Sequence, residues 1–137
     1  MVPNLSLPPR FAVDRMLGRL ARWLRILGYD VAYGPHLRGR TLTWTARQEG
    51  RWLLTRDTAL VRQCDLPPHL FITSDHFREQ LAEVAAAIPL HAAALLGRCL
   101  DCNRPLSERP REAVREQVPP FVWETAPRFF EIGRAHV

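Results

Sequence analysis

Between Arg10 and Ile88 the chain switches four times from a short apolar run to an amphipathic stretch, and this alternation constrains the fold more than any other feature. The runs RFAVD (Arg10–Asp14), DVAYG (Asp30–Gly34), RWLLTRD (Arg51–Asp57) and Leu70–Thr73 read as strands. Each is followed by a helical pattern: RMLGRLARWLRILG, a segment from about Thr41 to Glu49, TALVRQC and FREQLAEVAAAI. In the first helix Leu17, Leu20, Ala21, Leu24 and Leu27 recur at helical spacing, and Gly28 suits the position just past its end. Gly50 closes the second helix, and in the last one Leu81, Val84, Ala85 and Ile88 are expected to face a core. Strands alternating with helices of this length require crossover connections. They predict an α/β fold with a central parallel sheet between two helical layers.

The regularity stops near Pro89, and the chain beyond it is rich in proline and charge. Residues 1–95 are expected to form the α/β domain and residues 96–131 a small appendage; there is no internal repeat. The formal net charge is +5 with a pI near 10.0, carried by nineteen arginines and no lysine. A GC-rich genome is the expected cause of that choice of cation, but the charge itself favours an anionic partner, and arginine's planar fork matches phosphate. The longest uncharged run, Val84–Gly97, is too short to span a bilayer. The N-terminus lacks a signal-peptide pattern, and three cysteines make no disulfide framework, so a soluble cytoplasmic protein is expected.

Three of the strands end at or near an acid: Asp14, Asp57 and Asp75. Sites in open parallel sheets form beyond the carboxyl ends of the strands, where gathered carboxylates repel one another unless a hard cation such as Mg²⁺ or Mn²⁺ joins them. Such an ion activates water against a phosphodiester. Each of the three acids also precedes a helical pattern and suits an N-cap, and the two roles are compatible. Arg15, Arg19 and Arg22 share one helix face that is able to follow a nucleic-acid backbone or simply be solvated, and Arg56 is the candidate phosphate clamp at the site mouth. Trp23, Trp44 and Trp52 read as core residues, Cys64 as a buried small hydrophobe, and His69, His76 and His91 show no ligand spacing.

The blocks FAVDRMLGRLARWLRILGYDVAY, ARQEGRWLLTRDTALVRQ, RCLDCNRPL and VPPFVWET with its following FF resemble the Mut7-C RNase family, over about Arg10–Phe130. The resemblance implies a prokaryotic PIN-like α/β/α sandwich with a C-terminal zinc ribbon, acting as a metal-dependent endoribonuclease on RNA. It places Asp14 and Asp57 at the acidic positions that would bind Mg²⁺ or Mn²⁺, with Asp75 a weaker correspondence. One departure stands out. The segment GPHLRGRTLTWT carries Arg38 and Arg40 where the family tends to carry acids, and the nearest acid, Glu49, lies by a helix end. A non-catalytic RNA-binding module and a zinc-ribbon interaction protein are the competing readings.

Cys99 and Cys102 supply one C-x-x-C knuckle, half of a four-ligand zinc site. In the family the second knuckle follows the FF segment; here IGRAHV follows instead. Those six residues equal one reading frame of a widely used sequencing adapter, so residues 132–137 are expected to be a non-native tail on an incomplete ribbon. Zn²⁺ would then be held weakly, and the chain after about residue 103 is expected to pack poorly.

Overall fold

The structure is a computed structural model and describes residues 7–91 and 97–132. Four short strands form one all-parallel sheet: β1 (Arg10–Val13), β2 (Asp30–Ala32), β3 (Trp52–Thr55) and β4 (His69–Phe71). Their order is β2-β1-β3-β4. The chain therefore steps from β1 to one side, then crosses back to build the other side, and the order reverses between β1 and β3.

Pleating divides the core between two layers. On one face Phe11, Val13 and Leu54 meet Leu20 and Leu24 of α1 (Gly18–Ile26) and Val84 and Ile88 at the end of α4 (Phe77–Ala87). On the other, Ala12 and Leu53 meet Leu42 and Ala46 of α2 (Gly39–Glu49) and Leu60 of α3 (Thr58–Val61). Alternate strand residues thus feed opposite layers, and each large apolar side chain so buried contributes roughly 2 kcal/mol relative to exposure. The α/β/α sandwich expected from the alternation is present. Gly50 ends α2 in the left-handed conformation at φ 63°, as its position predicts.

Several burial expectations are corrected. Trp23 is 38% exposed and Trp44 59% exposed, while Trp52 is half-buried against the first core layer. Position 44 lies about 200° around the helix from core-facing Leu42, so its indole points outward. Trp23 sits at the flank of α1 and stacks on Phe77 of α4, with centroids 5.6 Å apart and planes 8° from parallel. Cys64 is exposed, and in α4 the buried polar residue Gln80 takes the place expected for Ala85, which is exposed.

Arg25, at the last turn of α1, is buried because its guanidinium is covered by carbonyl oxygens. Nε and Nη2 donate to Val31 O at 3.2 and 2.9 Å, and Nη1 donates to Leu100 O at 2.7 Å and Asp101 O at 3.2 Å. Burial holds its pKa below the usual arginine value, against the nearby Cys102, Cys99 and acidic groups. The C-x-x-C loop is thereby fastened to the edge strand β2. Asn103, held at φ 69°, accepts from Val31 N at 2.8 Å and donates to Asp30 Oδ1 at 2.7 Å.

Asp30 gathers three arginines from three segments near the amino ends of the strands. Arg10 approaches at 3.2 Å, Arg51 at 2.8 Å and Arg98 at 3.9 Å. Burial alone would raise the Asp30 pKa, but the donors from Arg51 and Asn103 and the charges of Arg51 and Arg98 lower it to about 2.

Beyond the loop, β5 (Leu106–Arg109) and β6 (Phe129–Ile132) pair antiparallel, with α5 (Arg111–Val114) and α6 (Pro120–Thr125) between them. Val114 is the one buried residue among the described residues 104–132; the strand pair is accompanied by the exposed Arg128–Glu108 pair, and Arg111 donates to Trp123 O and Ala126 O. Of the expected tail, residues 133–137 lie outside the described residues, and Ile132 ends β6 opposite Leu106. The expected boundary near residues 90–97 likewise falls largely on residues outside the description.

Candidate active site

Asp14 follows β1 and Asp57 follows β3, so the two acids stand at the carboxyl ends of the adjacent strands where the sheet order reverses. Thr55, fully buried at the end of β3, sits between them. Its hydroxyl donates to Asp14 Oδ2 at 2.7 Å and accepts from Asp57 N at 2.9 Å. One hydroxyl thereby sets the distance between the two strand ends and orients the largely buried Asp14 carboxylate.

Both acids also cap helical turns, as their sequence positions allow. Asp14 Oδ1 receives a long contact from Met16 N at 3.5 Å at the head of a 3-10 turn (Arg15–Leu17). Asp57 Oδ1 accepts from Ala59 N at 2.9 Å and Leu60 N at 3.4 Å. Capping consumes one oxygen of Asp57; Oδ2 has no hydrogen bond among the described residues.

The two carboxylates open onto one cleft of about 290 Å³, whose other walls include Arg15, Met16, Arg38 and Gly39. A hard divalent cation needs oxygen donors and room for its retained waters, and two partly free carboxylates beside such a cleft fit that requirement. The fit for zinc is different. Cys99 is buried, Cys102 is half-buried, and a closed zinc site needs four ligands. Burial pushes the Cys99 thiol up, yet the amide N–H groups of Cys102 and Asp101 and the Cys102 thiol hold it below the usual value. Among the described residues no group of three or more His, Cys, Asp or Glu side chains is placed to hold a metal ion.

The remaining expected residues are distributed differently. Asp75 lies past β4 on a neighbouring cleft, also of about 290 Å³, which shares Met16 with the first. It does not cap α4. His76 does, its Nδ1 accepting from Arg78 N at 3.3 Å. The loop that carries Asp75 is pinned by Glu83, which accepts from Thr73 N, Thr73 Oγ1 and Ser74 N at 2.9, 2.6 and 3.0 Å.

Of the three arginines expected to share a basic face, Arg19 lies over the Phe77 ring at 4.4 Å, Arg22 pairs with Asp101 at 3.5 Å, and Arg15 lines the acidic cleft. Arg56 donates to Thr73 O at 3.3 Å and lies beside Glu83, so its guanidinium is turned toward the β4–α4 loop. Besides Arg15, the arginine that lines the cleft is Arg38, at the N-cap of α2. It was visible in the sequence as an anomaly, the basic residue in a segment expected to be acidic, and its position beside the strand ends was not.

A family model described as the Mut7-C RNAse domain matches residues 9–134. No curated protein and no solved structure matches the chain. Among the described residues no helix is long and apolar enough to cross a membrane.

Proposed function

We propose, from the premise that this chain belongs to the Mut7-C RNAse domain family, that it hydrolyses RNA phosphodiester bonds internally with the help of Mg²⁺ or Mn²⁺ at Asp14 and Asp57. Ribonuclease-like function comes with the family; the metal, the residues and the mode of attack are our reading. The observation that carries it is the pairing of two acids, from adjacent strand ends at the reversal of the sheet, through one buried Thr55 hydroxyl onto one cleft with two arginines.

Asp57 would hold the cation through Oδ2, free among the described residues, and Asp14 through Oδ1, whose contact from Met16 N is long. When bound, the ion supplies an acidified water and polarises the phosphate. Thr55 keeps Asp14 in one orientation, so little reorganisation is needed when a ligand arrives. Arg15 and Arg38 would bind the non-bridging phosphate oxygens, neutralising charge that grows as the bond breaks. Gly39 leaves open space where a Cβ would stand, so the strand can approach the start of α2.

One observation favours a second reading. Arg38 occupies the cleft wall in the segment where an additional acid was expected, and a more basic, less acidic cleft suits RNA binding without turnover.

The test is cleavage of structured and single-stranded RNA by the full chain with Mn²⁺ and with chelator, alongside Asp14→Asn and Asp57→Asn. Loss of at least a hundredfold in rate in both variants, with binding retained, is expected. Cleavage indifferent to both substitutions would overturn the reading, and salt-sensitive binding without cleavage in any condition would select the second.

A further inference from the structure

The cleft beside the acidic one has a composition that phosphate binding does not explain. Its walls include Arg19, His76 and Phe77, with Met16 forming the ridge it shares with the acidic cleft. The aromatic wall centres on Phe77, which stacks with Trp23, has the His76 ring at 5.1 Å and 22°, and has the Arg19 and Arg78 guanidinium carbons 4.4 and 5.7 Å from its ring centroid. Such a stack offers flat, polarisable and cationic surfaces to a planar partner.

Besides the Arg19 donor, the cleft is lined by two residues with side-chain oxygens unpartnered among the described residues, Gln80 and Asp75. Gln80 is 95% buried, and its Nε2 is spent on Ser74 O at 2.9 Å. Its Oε1 has no partner among the described residues. No fully enclosed side-chain oxygen or nitrogen lacks a partner among the described residues, so this oxygen keeps some contact with the surface, on a residue that lines the cleft. Asp75 adds a carboxylate with no hydrogen bond or ion pair among the described residues. A buried amide held in place by its nitrogen, presenting its oxygen beside a stacking wall, is built to receive a donor.

The geometry points to a nucleobase subsite for single-stranded RNA, in which a base next to the scissile phosphate stacks against the Arg19–Phe77 wall and presents an exocyclic amino group to Gln80 Oε1 and Asp75. This rests on the RNA-hydrolysis reading above and deepens it by naming the substrate class. Adenine, cytosine and guanine carry such an amino group; uracil offers one imide N–H flanked by two carbonyl oxygens, which the two acceptors would repel. The exposed Met16 ridge between the clefts would separate the base from its phosphate.

The test is fluorescence anisotropy with labelled decamers of adenylate, cytidylate and uridylate, in chelator so that no cleavage occurs. The adenylate and cytidylate decamers should bind about tenfold more tightly than the uridylate decamer, the value of one charge-assisted hydrogen bond. Asp75→Asn, at an exposed position that does not threaten folding, should reduce the ratio to about threefold or less, and Gln80→Met should bring it close to one. Equal binding of the three decamers, or a ratio untouched in Asp75→Asn, would overturn the subsite while leaving RNA binding in place. No binding of any decamer by the unaltered chain would overturn the RNA reading itself and the subsite with it.

Discussion

Replacing Asp30 by Asn should separate two contributions to stability that are fused in the native chain. The carboxylate is one-fifth exposed and faces Arg10, Arg51 and Arg98, of which Arg51 is the most buried. Holding its pKa at about 2 in place of the usual 3.8 corresponds to roughly 2 kcal/mol of stability. That contribution is fully present above about pH 4 and is lost as the pH falls toward 2, because only the unfolded chain takes up the proton readily through that interval. The amide variant lacks the charge at every pH and leaves the Arg51 guanidinium with Glu49 and two carbonyl oxygens, Phe11 O and Asp30 O. Those remaining partners keep the loss below the roughly 3–5 kcal/mol that a broken buried pair costs, at about 2–3 kcal/mol at pH 7. The assay is urea unfolding by tryptophan fluorescence at pH 7, 5, 4 and 2.5. The difference between the native chain and Asp30→Asn should hold steady from pH 7 to pH 5, then shrink below about 1 kcal/mol at pH 2.5. A difference that stays constant across the series would refute the reasoning, since it would mean that the charge of Asp30 does not contribute and that only its shape matters.

Thr55→Val keeps the shape of a fully buried side chain but removes the hydroxyl between Asp14 and Asp57 N; a loss of about 1–3 kcal/mol by denaturant unfolding is expected, together with at least a tenfold fall in RNA cleavage. Gly18→Ala would place a Cβ 2.8 Å from the Tyr33 hydroxyl, which donates to Arg15 O at 2.9 Å, so the tyrosine must swing out; unfolding should show a loss of about 1 kcal/mol despite alanine's better helix propensity.

The sheet was legible because its strands are short, apolar and separated by helices whose periodicity is plain, and the ends of β1 and β3 were legible with them. Asp14 and Asp57 could be singled out from sequence since they lie one and two residues past the ends of β1 and β3, which are neighbours in the sheet. Asp75 could not be placed, because β4 ends at Phe71 and a pinned loop intervenes. Arg56 and Arg38 illustrate the same limit. Arg56, beside an acid in sequence, donates to Thr73 O, while Arg38, in a segment without acids, lines the cleft. The tryptophans were misread for a different reason. Hydrophobicity says that an indole gains from burial, but it does not say whether the partner is the sheet, as for Trp52, or a neighbouring helix, as for Trp23. The bond between Asn103 and Val31 spans 72 positions and leaves no periodic trace.

That bond has a consequence for how the two parts of the chain can be inherited. Val31 turns both its N–H and its C=O outward from the rim of the sheet, and Asn103 and Arg25 occupy them. An uncovered rim invites pairing between molecules, which ends in aggregation. The cysteine loop therefore serves as a sheath for the α/β half, independently of any metal. A gene fragment ending before Gly97 would encode the acidic cleft intact and yet yield a protein prone to self-association. Genetic shuffling that moved the α/β half alone to a new context would have to bring another cover for β2, which gives selection a reason to keep the two parts together that is independent of catalysis.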